Sequence, residues 1–168
     1  NLLGGSRIAR LIAAAKRYFS LEKGEITVEV NPSSELSGFF REIAAAGANR
    51  ISIGLQSADD GELKALGRRH TVKQAAETVE AARSAGISNL SLDLMLATPG
   101  QTLESALRSV AFCRELAVPH VSAYLLKVEE GTPYWNRRDT LAPPDEDETA
   151  DRYLAVCSAL EEAGLKQY

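Results

Sequence analysis

Three polar side chains able to do chemistry stand on strand-like stretches that are otherwise aliphatic. Glu29 shares one face of Ile26–Asn31 with Thr27 and Asn31, opposite Ile26, Val28 and Val30. Gln56 shares a face of Arg50–Gln56 with Ser52 and Gly54, opposite Ile51, Ile53 and Leu55, and Asp93 shares one with Ser91 and Met95, opposite Leu92, Leu94 and Leu96. Parallel strands covered on both faces by helices are apolar almost throughout. These have one aliphatic face, which suits an outer layer of helices, and one polar or small face, which suits a lumen. Glu29, Gln56 and Asp93 lie toward the C-terminal halves of their strands, where barrel enzymes carry their sites. Each alone reads more readily as a hydrogen-bonded core group or a solvated one than as a functional residue. Three on successive strands favour a site, and because unpaired buried carboxylates are costly, Glu29 and Asp93 would await a cationic or hydrogen-bonding ligand.

The elements that must position them alternate along the chain. A helical face of Ile8, Leu11, Ile12, Ala15 and Phe19 precedes the strand Ile26–Asn31, and a helix through Phe39, Phe40 and Ile43 stops at Gly47 before Arg50–Gln56. A short helix from Asp59 to Leu66 ends at Gly67. Thr71 with Gln74 forms a capping box for a helix running to Gly86, before the strand Leu90–Leu96. Pro99 and Gly100 make a turn, Thr102 caps a helix through Leu103, Leu107 and Val110, and the strand His120–Val128 follows. Residues 129–145, with Gly131, Pro133, Trp135, Pro143 and Pro144, form a long irregular connection of the kind often found over sites, and a last helix spans Asp145 to Ala163. The pattern predicts an α/β fold of about four parallel strands with helical crossovers, either an open doubly wound sheet or part of a barrel.

Composition narrows the function classes. The 168 residues, 45% hydrophobic and 25% charged, fit a single globular domain, 1–168. A net charge of -4 lacks the basic excess that neutralises phosphates, so no nucleic-acid partner is expected. No apolar stretch approaches the roughly 20 residues of a membrane span and none resembles a signal peptide, which predicts a cytoplasmic protein. Cys113 and Cys157 form no C-x-x-C and read as helix packing in a reducing compartment. Arg68, Arg69 and His70 read as a solvated basic turn, and His120 as structural. Tyr134 and Trp135 either line a site or cap a barrel rim.

Four motifs in order, E-V-N-P at Glu29 to Pro32, S-I-G-L-Q-S at Ser52 to Ser57, L-G-R-x-H at Leu66 to His70, and L-D-L-M with P-G-Q-T at Leu92 to Thr102, carry a resemblance. Together they resemble the radical SAM family of oxygen-independent coproporphyrinogen III oxidases and the related heme chaperones. The resemblance implies a partial parallel (β/α) barrel of the radical SAM type, with S-adenosylmethionine (SAM) and a 4Fe-4S cluster as cofactors. It places Glu29, Gln56, Arg68 and Asp93 among the SAM-contacting residues. Those residue types match the polar groups of SAM, since carboxylates can hold an ammonium or ribose hydroxyls, an amide can read a polar edge, and a guanidinium can fork onto a carboxylate.

The departures from the family are as informative. Its C-x3-C-x2-C motif and glycine-rich strand end have no counterpart here; Leu2 and Leu3 look like the residues that follow them, so the chain reads as a segment of a longer protein. It carries no catalytic or metal-ligating residue of its own, and neither SAM nor the cluster should bind it tightly. Alone it should be inactive. Leu96, Ala97 and Thr98 stand where the family usually has Tyr-Gly-Leu before P-G-Q-T. Asn31-Pro32, Ser57, the G-R-x-H and the E-x-G-T-P at Glu129 to Pro133 resemble the heme chaperone branch more than the oxidases. Heme or a porphyrinogen is then the parent's expected partner, and the strand 26–31, an uncovered edge, a surface for self-association.

Overall fold

The computed structural model describes residues 3–21, 23–132, 134–141 and 144–168; Leu2, Pro133 and Pro143 lie outside the described residues. In chain order the elements are α1 Gly5–Tyr18, β1 Thr27–Val30, α2 Ser37–Ala46, β2 Arg50–Gln56, α3 Asp60–Ala65, α4 Val72–Ser84, β3 Asn89–Leu96, α5 Leu103–Glu115, β4 His120–Leu125, a 3-10 turn Trp135–Thr140, and α6 Glu146–Glu162. The four strands lie in the order β1-β2-β3-β4, and β1 pairs parallel to β2 with Glu29 opposite Ser52. This is the α/β arrangement of parallel strands and helical crossovers that the alternation predicts. No described helix is long and apolar enough to cross a membrane.

The chain resolves into two compact units, the first comprising residues up to Leu55, His70–Leu92 and Val118–His120. Its core is made by Phe40 and Ile43 of α2, Ile51, Ile53 and Leu55 of β2, Val79 of α4, and Leu90 and Leu92 of β3, none with more than a trace of exposed surface. Phe39 meets Phe40 edge to face at 5.6 Å, and α2 packs on α1 and α4. The expected apolar face of α1 is narrower than its spacing suggests: Ile12 is buried while Leu11 and Phe19 are exposed, because α2 covers only one stripe of the helix. The Thr71 and Gln74 capping box forms as expected. His120 is structural too, its Nδ1 lying 2.7 Å from Ser91 Oγ and 3.4 Å from the Arg50 guanidinium.

The second unit comprises Gln56–Arg69, Asp93–Ala117 and Val121 onward. Leu63 of α3, Leu94 and Leu96 of β3, Ala106, Val110 and Cys113 of α5, and Val156 of α6 form its core, with α5 packed on α6. Thr102 caps α5, and Ser105 completes a capping box that the sequence pattern did not announce. Several boundaries differ from expectation: β1 spans Thr27–Val30 rather than Ile26–Asn31, β3 begins at Asn89 rather than Leu90, and α6 spans Glu146–Glu162 rather than Asp145 to Ala163. The fourth strand stops at Leu125, not Val128: β3 ends at Leu96, whose carbonyl accepts the last bond from Leu126 N, and no ladder partner follows. The irregular connection contains a 3-10 turn, entered through a Thr132 hydroxyl that accepts from Trp135 N at 3.1 Å.

Candidate functional site

Glu29 belongs to the first unit. It is exposed on β1, in a strand whose Val30 is buried, and its carboxylate makes no hydrogen bond or ion pair among the described residues. The remaining residues singled out by sequence, Gln56, Arg68 and Asp93, fall in the second unit.

Gln56 ends β2 with φ 73°, the left-handed region, where a side chain bearing Cβ costs about 1–2 kcal/mol. It is 7% exposed, yet its side chain makes no hydrogen bond among the described residues. The strained residue is followed by a tightly tied segment. Ser57 Oγ accepts from Asp59 N at 3.1 Å and donates to Glu62 Oε2 at 2.6 Å, and Ala58 N donates to Ser109 Oγ at 2.9 Å. Asp59 in turn caps α3, accepting from Gly61 N at 2.8 Å and Glu62 N at 3.0 Å. Backbone strain of this kind persists only where its surroundings over-determine it, and it clusters at functional sites.

Arg68, half-buried, follows α3, its backbone N–H donating to Leu63 O at 2.9 Å; Asp93 is half-buried on β3, and neither residue is without further partners. The neighbouring His70 corrects the reading of a solvated basic turn. It is 8% exposed, and its Nε2 lies 3.1 Å from the carbonyl oxygen of Leu55 within the first unit. A histidine beside arginines after a glycine looks solvated in sequence; the imidazole is buried because a strand carbonyl offers it a partner.

The end of β3 carries a second strained residue. Ala97 has φ 59°, and Gln101, the glutamine of P-G-Q-T, clasps it: Gln101 Oε1 accepts from Ala97 N at 2.9 Å while Nε2 donates to Met95 O at 3.0 Å. The next residue, Thr98, buries a hydroxyl that has no hydrogen-bond partner among the described residues. Tyr134 is tied to α3: its hydroxyl donates to Ala65 O at 2.7 Å, and the Arg137 guanidinium lies 5.5 Å from its ring centre. Burial pushes the Tyr134 phenol above its ordinary value, opposed by the Arg137 charge.

Whether these residues fit the implied cofactors differs between the two. An exposed carboxylate at Glu29 and an amide at Gln56 with its hydrogen-bonding capacity unspent are suitable partners for SAM. An iron–sulfur cluster does not fit: it is held by cysteine thiolates, and no group of three or more His, Cys, Asp or Glu side chains is placed to hold a metal among the described residues. Cys113 is buried as expected, which pushes its thiol up to about 12; Cys157, also expected to pack, is only half-buried on α6. Sequence reasoning missed Glu62 and gave Gln101 no role beyond its motif. The pairing of Ser57 with Glu62, five positions apart, carries no local signal.

The radical SAM superfamily profile matches residues 2–113. The chain is 40% identical over its whole length to the heme chaperone HemW of Mycobacterium tuberculosis, covering 44% of that protein. It is 38% identical over 95% of its length to the mitochondrial radical S-adenosyl methionine domain-containing protein 1 of Mus musculus, covering 37% of it. The solved structure of Escherichia coli coproporphyrinogen III oxidase, HemN, superposes on 96% of the chain with a TM-score of 0.82 at 22% identity, a likeness of fold, and is covered to 38%. The chain thus spans less than half the length of the curated relatives it matches. With the profile running from before α1 into α5 and the parallel strands superposing on a radical SAM fold, the chain belongs to the radical SAM superfamily.

Proposed function

We propose that this chain is the part of a heme-metabolism radical SAM protein that supplies one side of the SAM pocket, through Glu29, Gln56, Arg68 and Asp93, and that the whole protein is a heme chaperone. The observation that carries the chaperone reading is identity at 40% across the entire chain with a protein of that name. The SAM reading is supported by Gln56, 7% exposed, whose side chain makes no hydrogen bond among the described residues and whose left-handed backbone is strain of the kind that clusters at functional sites. Residues 1–168 act as one domain in this reading. The 4Fe-4S cluster would be held by residues outside this chain, and it would supply the anchor for the methionyl amine and carboxylate. The cytoplasm, or another reducing compartment, suits two free cysteines.

The test uses the full-length protein, anaerobic and reconstituted. Heme should bind with a Soret shift, coproporphyrinogen III should be converted little or not at all, and Glu29→Ala, Arg68→Ala and Asp93→Ala should each weaken SAM binding in calorimetry. Efficient formation of protoporphyrinogen would transfer the protein to the oxidase branch, the second reading, which the fold of HemN also accommodates. Unchanged SAM affinity in all three variants would remove Glu29, Arg68 and Asp93 from the SAM pocket.

A further inference from the structure

We propose that Glu62 is a positioning residue: its carboxylate fastens the segment after β2 to the segment after β3 and so holds Gln56 in the left-handed conformation that presents its amide. The proposal rests on the reading of Gln56 as a SAM contact.

Glu62, in the first turn of α3, is half-buried and forms no ion pair among the described residues. Its carboxylate is satisfied instead by three donors, one just after β2 and two after β3. Ser57 Oγ donates to Oε2 at 2.6 Å, Gln101 Nε2 donates to the same oxygen at 3.3 Å, and Ser105 Oγ donates to Oε1. Ser105 is the third residue of α5, so the charge also lies at the positive end of that helix. Hydrogen bonds onto an ionised acceptor are roughly twice as strong as neutral ones.

The topology of these bonds gives Glu62 its role. Ser57 is the residue after Gln56, and its hydroxyl already accepts from Asp59 N, so its proton is committed to Glu62. Gln101 grips Ala97 N and Met95 O, so the same carboxylate braces the clasp around the second left-handed residue. Both positive-φ residues at these strand ends, Gln56 and Ala97, are therefore one residue or one side chain away from a shared anion. A neutral group in its place cannot accept from all three donors, and the Gln56 conformation, unfavourable in itself, loses part of what over-determines it.

The experiment is a double-mutant cycle in the full-length, anaerobically reconstituted protein, with Gln56→Ala and Glu62→Ala separately and together, and SAM dissociation constants from calorimetry. Each single substitution should weaken SAM on the order of tenfold, the worth of one hydrogen bond to a polar or charged group. The pair should be little worse than either alone, because Glu62 acts through Gln56. Hydrogen exchange without SAM supplies a reading free of the cofactor: the amides of Asp59 and Ala97 should exchange faster in Glu62→Ala while that of Leu94 is unchanged. If Glu62→Ala does not fold, Ser57→Ala removes one arm of the network and carries the same cycle. Fully multiplicative effects, or SAM affinity untouched by Glu62→Ala while Gln56→Ala weakens it, would overturn the role of Glu62 and leave the SAM contact standing. An unaltered affinity in Gln56→Ala would remove the SAM contact and the proposal with it, even if the exchange data show the clamp.

Discussion

Ala97 offers a quantitative test of the strained strand end. It occupies the position where the radical SAM oxidases and chaperones usually carry glycine, and it keeps glycine's conformation at φ 59° while 7% exposed. Replacing it with glycine removes a left-handed Cβ, a gain of about 1–2 kcal/mol. Against that stand about 0.5–1 kcal/mol for glycine's greater loss of freedom on folding and about 0.8 kcal/mol for the buried methyl. The balance is near zero. Ala106, fully buried in α5, is the matched control: there the same substitution costs about 1 kcal/mol in helix propensity and about 0.8 kcal/mol in burial, with nothing to offset them. The two variants should therefore differ by about 2 kcal/mol in urea unfolding, roughly 1 M in midpoint at a slope of about 2 kcal/mol/M. An Ala97→Gly variant that falls as far as Ala106→Gly would mean that the left-handed conformation is not strained, and the over-determination argued for Gln56 and Glu62 would lose its physical basis.

Three further expectations concern other parts of the molecule. Burial holds the Cys113 thiol at about 12 against an ordinary 9.0, so between those values the unfolded chain has lost a proton that the folded chain keeps. Stability due to this group is complete below pH 9 and falls by about 1.4 kcal/mol per pH unit above it; denaturation series should show that share of the slope vanish in Cys113→Ala, and an equal slope in both proteins would refute it. β1 lies at one end of the sheet order, with Val28 between Thr27 and Glu29 and no lysine or proline to discourage pairing; the isolated chain should self-associate with concentration in sedimentation, Val28→Lys should abolish this, and a wild type that stays monomeric would count against edge pairing. Anaerobic iron and sulfide should leave this chain colourless, and stoichiometric incorporation would show that its cysteines reach a cluster after all.

The extent to which the sequence revealed these features follows from how local each one is. β2 was legible to the residue, Arg50–Gln56, because alternation and the flanking Gly47 are signals within a few positions, and the Thr71 and Gln74 box was legible for the same reason. Alternation assigns Gln56 a face but says nothing of its backbone: the sign of φ is announced only by glycine or asparagine, and Gln56 and Ala97 are neither. What replaces the missing local signal is a set of tertiary bonds, from Glu62 to Ser57, Gln101 and Ser105, spread over residues that no window brings together. The burial of His70 is hidden for the same reason, its partner being the Leu55 carbonyl on β2, 15 positions away. Local preference and tertiary demand thus part company at the residues that end β2 and β3, where a sequence under no other constraint would place glycine. A chain that keeps glutamine at a left-handed strand end, and ties down the segment that follows it, is retaining a side chain at the expense of its backbone, the pattern expected where that side chain is used.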